Sequence, residues 1–271
     1  MKKIILAVTV LCLGVNTWAQ EDSTSKEKAD TIKIGGVVII KKDGDKNANK
    51  KSVIISNKKK PNSLISTNWW IIDIGFTNYN DNTNYSSAAT QSFAPGMNKD
   101  NFKLRNGNSV NVNIWFFMQR LRIVNGVNLK YGLGLELNNY HYDDERVRFQ
   151  ENPTVIMLDS IYNDLNKNKL AVDYATVPLM LNFNLTPNRK HGFGFSVGVS
   201  GGYRYASRQK IKDDDKSKLK DDFDLSSWKL SYIGELNLGP VRLYGSYATK
   251  TMWEKGLDQT PYSVGIRLSY L

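Results

Sequence analysis

The segment VNLKYGLGLELNNYHY, residues 127–142, decides the fold, because apolar and polar side chains alternate along it. Leu129, Tyr131, Leu133 and the two following odd-numbered leucines alternate with glycine, lysine and glutamate. Successive side chains of a β-strand point to opposite faces, so this strand has one apolar face and one polar face. The segment also exceeds the roughly 9–11 residues that a tilted strand needs to cross a membrane.

Seven other segments repeat this alternation. They are Trp69–Tyr79, Ser109–Met118, Lys169–Leu185, Gly192–Ser207, Trp228–Leu238, Val241–Met252 and Pro261–Leu271. Eight such segments predict an all-β protein whose residues 67–271 form an eight-stranded, antiparallel, up-and-down transmembrane β-barrel. A mostly flexible N-terminal periplasmic tail is expected to precede the barrel.

The connections between the segments alternate in length. The short ones are Gln119–Gly126, Thr186–His191 and Gly239-Pro240; the longer ones are Asn80–Asn108, Asp143–Asn168, Arg208–Ser227 and Trp253–Thr260. Outer-membrane barrels have short periplasmic turns and longer extracellular loops. With an even number of strands, this pattern predicts that both termini are periplasmic and that the long loops are extracellular.

Aromatic residues near the segment ends predict the girdles that mark membrane interfaces. They are Trp69, Trp70, Tyr79, Tyr140, Tyr142, Tyr203, Tyr205, Trp228, Tyr262 and Tyr270.

Charged residues on the polar faces are predicted to lie inside the barrel. They are Asp73, Lys130, Glu136, Arg204, Lys229, Glu235, Arg242 and Arg267. A lipid-facing Lys or Arg at the bilayer midplane costs about 2–4 kcal/mol, so a one-residue slip of register costs on the order of 10 kcal/mol. Because side chains fill a barrel of this size, we expect the charges to pair as a polar core. A path for protons or small ions is the alternative.

Asp173 is the exception, because its parity places it on the lipid side. Two explanations stay open: Asp173 lies above the membrane, or a bulge at Pro178 resets the phase. Proline cannot donate to a strand ladder, which favours a local irregularity at Pro178.

The N-terminal residues resemble a secretion signal. Lys2 and Lys3 precede an apolar run, and Ala19 offers a small residue before a cleavage point, which predicts a signal peptide over residues 1–19. Residues 20–66 are rich in lysine and lack aromatic residues, so they predict a basic polar periplasmic tail. A small hairpin between Ile32–Ile40 and Val53–Ile55 fits the pattern. An arm that contacts an anionic envelope component is the alternative.

Two motifs resemble the PorT-like outer-membrane β-barrel domains of Bacteroidota. They are YATVPLMLNF at residues 174–183 and GVSGGYR at residues 198–204, with EKG at 254–256 and DTIKIG at 30–35 also similar. The resemblance covers roughly residues 30–271. It implies a small outer-membrane barrel and transfers no catalytic residue. Many such barrels end on a lipid-facing aromatic residue, whereas here Leu271 follows Tyr270.

The function that these features predict is a structural or interaction role through the long extracellular loops. We expect a monomer whose partners are outer-membrane lipid, lipopolysaccharide and the outer-membrane assembly machinery. No cofactor, metal or nucleic acid is expected: the chain has two histidines and one cysteine, Cys12, and its basic tail lacks interleaved aromatics.

Two alternatives come from other classes of protein. An outer-membrane hydrolase that modifies lipid A would use His141 as base, Asp143 as orienting carboxylate and Ser160 as nucleophile. An exposed histidine beside a polar loop explains the same residues without catalysis. A soluble periplasmic ligand-binding β-barrel would instead bury the apolar face as its core.

Overall fold

A computed structural model of the protein describes residues 30–34, 37–41, 63–151, 153–159, 167–186, 192–212 and 216–268. The chain divides into two compact units, residues 1–62 and 63–271. In the first unit, strand β1 (Asp30–Ile34) pairs antiparallel with strand β2 (Val37–Lys41). This hairpin forms within the first predicted apolar run, Ile32–Ile40, whereas the predicted hairpin joined that run to Val53–Ile55, which lies outside the described residues. The predicted signal peptide and most of the predicted tail lie outside the described residues.

The second unit is a closed, eight-stranded antiparallel β-barrel. Its elements in chain order are β3 (Ile65–Asp81), α1 (Ala88–Phe93), a 3-10 helix (Lys99–Phe102), β4 (Val110–Val124), β5 (Val127–His141), β6 (Val147–Gln150), β7 (Val155–Leu158), β8 (Lys167–Asn184), β9 (Phe193–Lys212), β10 (Lys216–Leu219), β11 (Trp228–Leu238), β12 (Val241–Ala248) and β13 (Gln259–Leu268).

The barrel wall consists of β3, β4, β5, β8, β9, β11, β12 and β13, each paired with its neighbour. The last strand, β13, pairs with β3 and closes the sheet. The predicted all-β fold with eight antiparallel strands is therefore confirmed. Strands β6 and β7 form a separate hairpin in one long connection, and β10 pairs with the far end of β9.

Several strands differ in length from the predicted segments. Strand β4 continues to Val124, so its turn is Asn125-Gly126 rather than the longer connection that the sequence predicted. Gly126 has φ +85°, a backbone conformation that favours glycine. Strand β12 ends earlier than predicted, at Ala248. We call the barrel end with connections 125–126, 185–192 and 239–240 the short-turn end, and the opposite end the long-loop end.

Three irregularities interrupt the register of the described wall strands. The pairing of β4 with β5 shifts between Trp115 and Phe117 and again between Arg122 and Val124. The pairing of β8 with β9 shifts where Asp173 faces Ala206 and Tyr174 faces Arg204, which leaves Tyr205 as the extra residue. A bulge exchanges the inward and outward positions of the strand beyond it.

The bulge expected at Pro178 is wrong. Pro178 is buried and pairs with Ser200 within a continuous register. The missing donor therefore costs one ladder hydrogen bond without changing the phase. Asp173 accepts a hydrogen bond from Arg208 Nη1 at 2.5 Å.

The apolar rows of the barrel face outward. Large side chains exposed on its surface include Ile72, Ile74, Phe76, Val177, Leu179, Leu181, Val197, Val199, Leu230, Leu236, Val264 and Ile266. Monomeric soluble proteins rarely expose so continuous an apolar surface. The soluble-barrel alternative is therefore wrong, because the row it needed as a core faces the surroundings. No helix in the described parts of the chain is long and apolar enough to span a bilayer.

Only some of the aromatic residues predicted to form girdles are exposed on the barrel surface. Trp69, Trp70, Tyr203, Tyr205, Trp228 and Tyr262 are exposed, whereas Tyr79, Tyr140 and Tyr142 are buried, and Tyr270 lies outside the described residues. The three buried tyrosines point into the barrel end rather than towards lipid, because they lie on the inward parity of their strands. Trp69 and Trp70 are both exposed although they are adjacent, and Trp70 has φ +54°.

Candidate functional site

The barrel interior near the short-turn end holds an ionic network centred on Arg267. Its Nε lies 2.6 Å from Asp73 Oδ1, and its Nη2 donates to Asp73 Oδ2 at 2.8 Å. Arg267 also contacts Glu235, which in turn contacts Lys130. Trp115 Nε1 donates to Asp73 Oδ2 at 2.7 Å. Each buried charge in this network therefore has an opposite charge beside it, which burial requires.

A second ion pair lies closer to the long-loop end. Lys229 contacts Glu136, and Asn138 Nδ2 donates to the same carboxylate at 3.2 Å. The Lys229 ammonium also lies 5.3 Å from the centre of the Tyr174 ring. The side chain of Asn138 in turn accepts a hydrogen bond from Asn111 Nδ2 at 3.0 Å, which joins the ion pair to the amide side chains of β4.

The remaining two predicted interior charges have other surroundings. Arg204 Nη2 donates to the Leu225 carbonyl at 3.0 Å and its Nη1 to Ser207 Oγ at 2.9 Å, so Arg204 holds a long connection rather than an interior carboxylate. Arg242 lines a cavity of about 20 Å³ at the short-turn end. A second interior cavity, beside Asp73 and Trp115, measures about 30 Å³.

Sequence reasoning missed Arg120, which lines the same cavity as Arg242. On β4, odd-numbered residues face the barrel interior before the bulge. Beyond the bulge, even-numbered residues such as Met118 and Arg120 face the interior. The run Trp115 to Met118 has four large apolar residues in succession, and this break in alternation was the available signal.

The long connections fold over their end of the barrel into a compact layer, which we call the loop cap: residues 82–109, the described residues of 142–166, residues 220–227 and 249–258. With the adjoining strand ends it shares a buried cluster. The cluster comprises Tyr79, Phe93, Ala94, Met97, Phe102, Tyr140, Tyr142, Val147, Phe149, Ile156, Leu170, Val172, Tyr174, Phe223, Leu225, Met252, Trp253 and Leu257.

Phe149 joins three of the long connections within this cluster. Its ring stacks on Trp253 at 5.9 Å between centres and lies 5.3 Å from Phe223. The side chain of Gln209 on β9 also holds β6 in place. Gln209 Nε2 donates to the Val147 carbonyl at 2.9 Å, and the Phe149 amide donates to Gln209 Oε1 at 3.0 Å. The loop cap is thus ordered by a core of its own.

Ion pairs tie the rim of the loop cap together. Arg146 forms a two-point contact with Asp144, with both distances 2.9 Å, and Asn101 Nδ2 donates to the same carboxylate at 2.9 Å. The Arg146 hydrogen bonds lower the pKa of Asp144 to about 2. Arg105 Nη2 lies 2.7 Å from Glu145 Oε1.

The residues of the hydrolase hypothesis are only partly described. His141 ends β5, and its backbone amide donates to Ser109 Oγ at 3.0 Å. Asp143 accepts from Arg105 Nε at 3.3 Å, and Ser160 lies outside the described residues. The trio therefore remains a hypothesis. Within the described ranges, no three His, Cys, Asp or Glu side chains are grouped to hold a metal ion.

Residues 70–247 match the family of the outer membrane protein beta-barrel domain, and the chain belongs to that family. It is a small outer-membrane β-barrel protein. Among solved structures, the chain is similar to Ail, the attachment invasion locus protein of Yersinia pestis, in complex with the heparin analogue sucrose octasulfate. The identity is 10%, the match covers 74% of this chain and 98% of that one, and the TM-score is 0.32. No curated protein matches the sequence.

Proposed function

We propose that the protein presents the loop cap on the cell surface as a pre-ordered surface for interaction. The observation that carries this proposal is the buried aromatic core around Phe149 and Trp253. Long loops without such a core lose conformational entropy when they bind, whereas an ordered surface avoids most of that cost.

The proposed orientation follows from the connections. The turns at 125–126 and 239–240 have two residues each, while the connection 82–109 carries a helix and a 3-10 helix. Short turns of outer-membrane barrels face the periplasm and long loops face outward. We place the start of β3 and the end of β13 on the periplasmic side, with lipopolysaccharide around the loop cap and the assembly machinery as the partner during insertion.

The packing of the barrel interior favours a filled barrel rather than an open pore. The two cavities beside Arg267 hold about 30 and 20 Å³, which is room for one or two water molecules each, and the larger cavity of about 260 Å³ at Lys229 lies next to the exposed wall residues Trp228 and Leu230. Paired side chains from opposite walls, such as Lys130 with Glu235, cross the space between them. The proposed role is therefore contact at the surface rather than transport.

Single-cysteine labelling tests the orientation. The only cysteine of the sequence, Cys12, lies in the predicted signal peptide, so introduced thiols are unique in the mature chain. A membrane-impermeant maleimide added to intact cells is expected to label Ala89→Cys, which is exposed in the loop cap. Asn125→Cys, exposed in a short turn, should react only after permeabilisation. The reverse pattern would overturn the orientation.

Photo-crosslinking tests the interaction role. A crosslinking amino acid at Ala89 or Gln91, both exposed in the loop cap, is expected to give a discrete adduct with a surface component on living cells. The matched control carries the crosslinker at Val197, which is exposed on the barrel wall. Adducts from Val197 alone would contradict the proposal.

A further inference from the structure

We propose that the barrel wall contains a lateral binding site for a single-chain anionic amphiphile, such as a fatty acid carboxylate, at the point where β12 ends. The site is the cavity of about 260 Å³ beside Lys229. It lies at the long-loop end of the wall, under the edge of the loop cap, and is separate from the ionic network around Arg267.

Strand β12 stops before its two neighbours do. It ends at Ala248, which pairs with Ser231 of β11. In the ladder of the described wall strands, residues 228–230 of β11 pair only with β9, and residues 259–261 of β13 pair only with β3. A gap in the ladder therefore separates β11 from β13 at this end of the barrel.

The segment that follows β12, residues 249–252, crosses this gap without forming a strand. On one side the Thr249 amide donates to the Leu230 carbonyl at 2.8 Å, and on the other side the Met252 amide donates to the Gln259 carbonyl at 2.9 Å. The segment is thus fastened to both edges of the gap. Together with the start of β11, it lines the cavity.

Residues from both faces of the wall line the cavity. Trp228 and Leu230 point outward, with exposed fractions of 71% and 53%, whereas Lys229 between them points inward and is buried. The buried Tyr174 of β8 lines the inner side. The cavity therefore extends from the apolar outer surface to the ion pair of Lys229 with Glu136, and a molecule dissolved in the bilayer reaches it sideways through the wall.

The charges at the cavity favour an anionic ligand. Lys229 and Lys250 line it, and none of the described lining residues is acidic. Glu136 neutralises Lys229 from the interior side, so the charge left for a ligand is that of Lys250. Lys250 is exposed and takes part in none of the ion pairs between described residues. Because a lysine stem can lie along apolar surface while its ammonium stays at the polar boundary, Lys250 is suited to hold an anionic head group.

The apolar lining and the volume limit the ligand to one alkyl chain. Trp228, Leu230 and Pro261 offer apolar surface beside the two lysines. An alkyl chain is already in apolar surroundings in a bilayer, so it gains little from this surface, and selectivity comes from the charged contact with Lys250. A volume of about 260 Å³ lies below the roughly 300–1,000 Å³ of most small-molecule sites, which excludes a lipid with several chains.

Photolabelling with a fatty acid that carries a diazirine on its alkyl chain tests the site. The mature full chain in maltoside micelles is labelled at a pH well above the ordinary pKa of a carboxylic acid, and adducts are mapped by peptide mass spectrometry. Labelling that excess laurate displaces is expected on residues 226–230 and 248–252. Displaceable labelling spread over the wall, for example at the exposed Val197, would overturn the proposal, as would its absence.

Competition by related compounds tests the class of ligand. Laurate is expected to displace the label at lower concentration than dodecanol or dodecylammonium, because neither of these offers an anion to Lys250. Lys250→Gln should weaken competition by laurate about tenfold. The matched control Lys220→Gln, which removes an exposed lysine elsewhere in the loop cap, should keep the native value. Equal competition by dodecanol, or equal losses in the two variants, would overturn the proposal.

Ala248→Leu tests whether the cavity itself holds the chain. Ala248 is buried and lines the cavity, so a larger side chain there occupies the space that the alkyl chain needs. The variant is expected to lose displaceable labelling while its unfolding temperature stays native. Native labelling in this variant would contradict the site. If the larger side chain lowers the unfolding temperature, the comparison of Lys250→Gln with Lys220→Gln decides between the outcomes.

Discussion

At the scale of single residues, the tight packing of the barrel wall rests on glycines that face each other. Gly75 pairs directly with Gly265 across β3 and β13. The Tyr244 side chain packs over this pair, and its hydroxyl donates to Asn111 Oδ1 at 2.5 Å. The absent side chains leave the space that the phenol ring fills.

Replacing Gly75 with alanine should therefore destabilise the barrel. An added Cβ would lie 2.3 Å from the Val264 carbonyl oxygen and 2.6 Å from the Tyr244 hydroxyl. We expect the free energy of unfolding to fall by about 1–3 kcal/mol, as overpacking typically costs. Urea unfolding in detergent measures it. The control Gly201→Ala, where nothing lies within 4 Å of the added carbon, should change little; equal losses would contradict the packing argument.

Glu235→Gln tests whether the interior charges are structural or form an ion path. Lys130 and Arg267 would lose their shared carboxylate, which should cost about 3–5 kcal/mol of unfolding free energy. Conductance across a planar bilayer should stay unchanged. Glu254→Gln, at an exposed position of the loop cap, is the matched control. A change in conductance without a loss of stability would favour the path for protons or small ions.

Parity along the strands placed most of the interior charges from sequence, but not Arg120. Alternation is a strictly local rule, so it works until a strand inserts an extra residue. Phe116 is the extra residue of β4 at this point, and its ring lies 5.8 Å from that of Trp70. The four large apolar residues from Trp115 to Met118 signal a break in alternation, but which of them becomes the extra residue depends on the strand alongside.

At the scale of elements, the eight strands could be predicted because membrane crossing demands length and alternation together. The loop cap could not. Its buried residues, such as Phe102, Phe149 and Trp253, are scattered through polar connections and follow neither the period of a strand nor that of a helix. The pattern therefore predicts surface loops here, whereas contacts between residues of distant loops bury these side chains.

Phe149→Ala is expected to loosen the loop cap while leaving the barrel closed. The substitution removes the ring contacts with Trp253 and Phe223, and burial losses of this size cost about 3–5 kcal/mol. Limited proteolysis should then cut the long connections faster, while the strand fragments stay protected. Met157→Ala, on the partner strand of the same hairpin but 38% exposed, should show the native cleavage rate. Faster cleavage in both variants would argue against a specific core.

At the scale of the whole molecule, closure explains how the protein should behave on a gel. Every wall strand has two neighbours, so no strand edge is available at which unfolding begins. The unheated protein in dodecyl sulfate is expected to remain compact and to migrate faster than the boiled protein. Identical mobility before and after boiling would contradict a closed barrel that resists the detergent.

The pairing of β3 with β13 also has a consequence for synthesis. Strand β3 can pair with its second neighbour, β13, only after residues 259–268 have been synthesised and exported. A polypeptide truncated before that point would leave the backbone N–H and C=O groups of its two outermost strands unpaired. Such groups can pair with other chains, or the chain is degraded. Nonsense mutations late in the reading frame should thus be as harmful to the envelope as early ones, even though they remove only a few per cent of the mass.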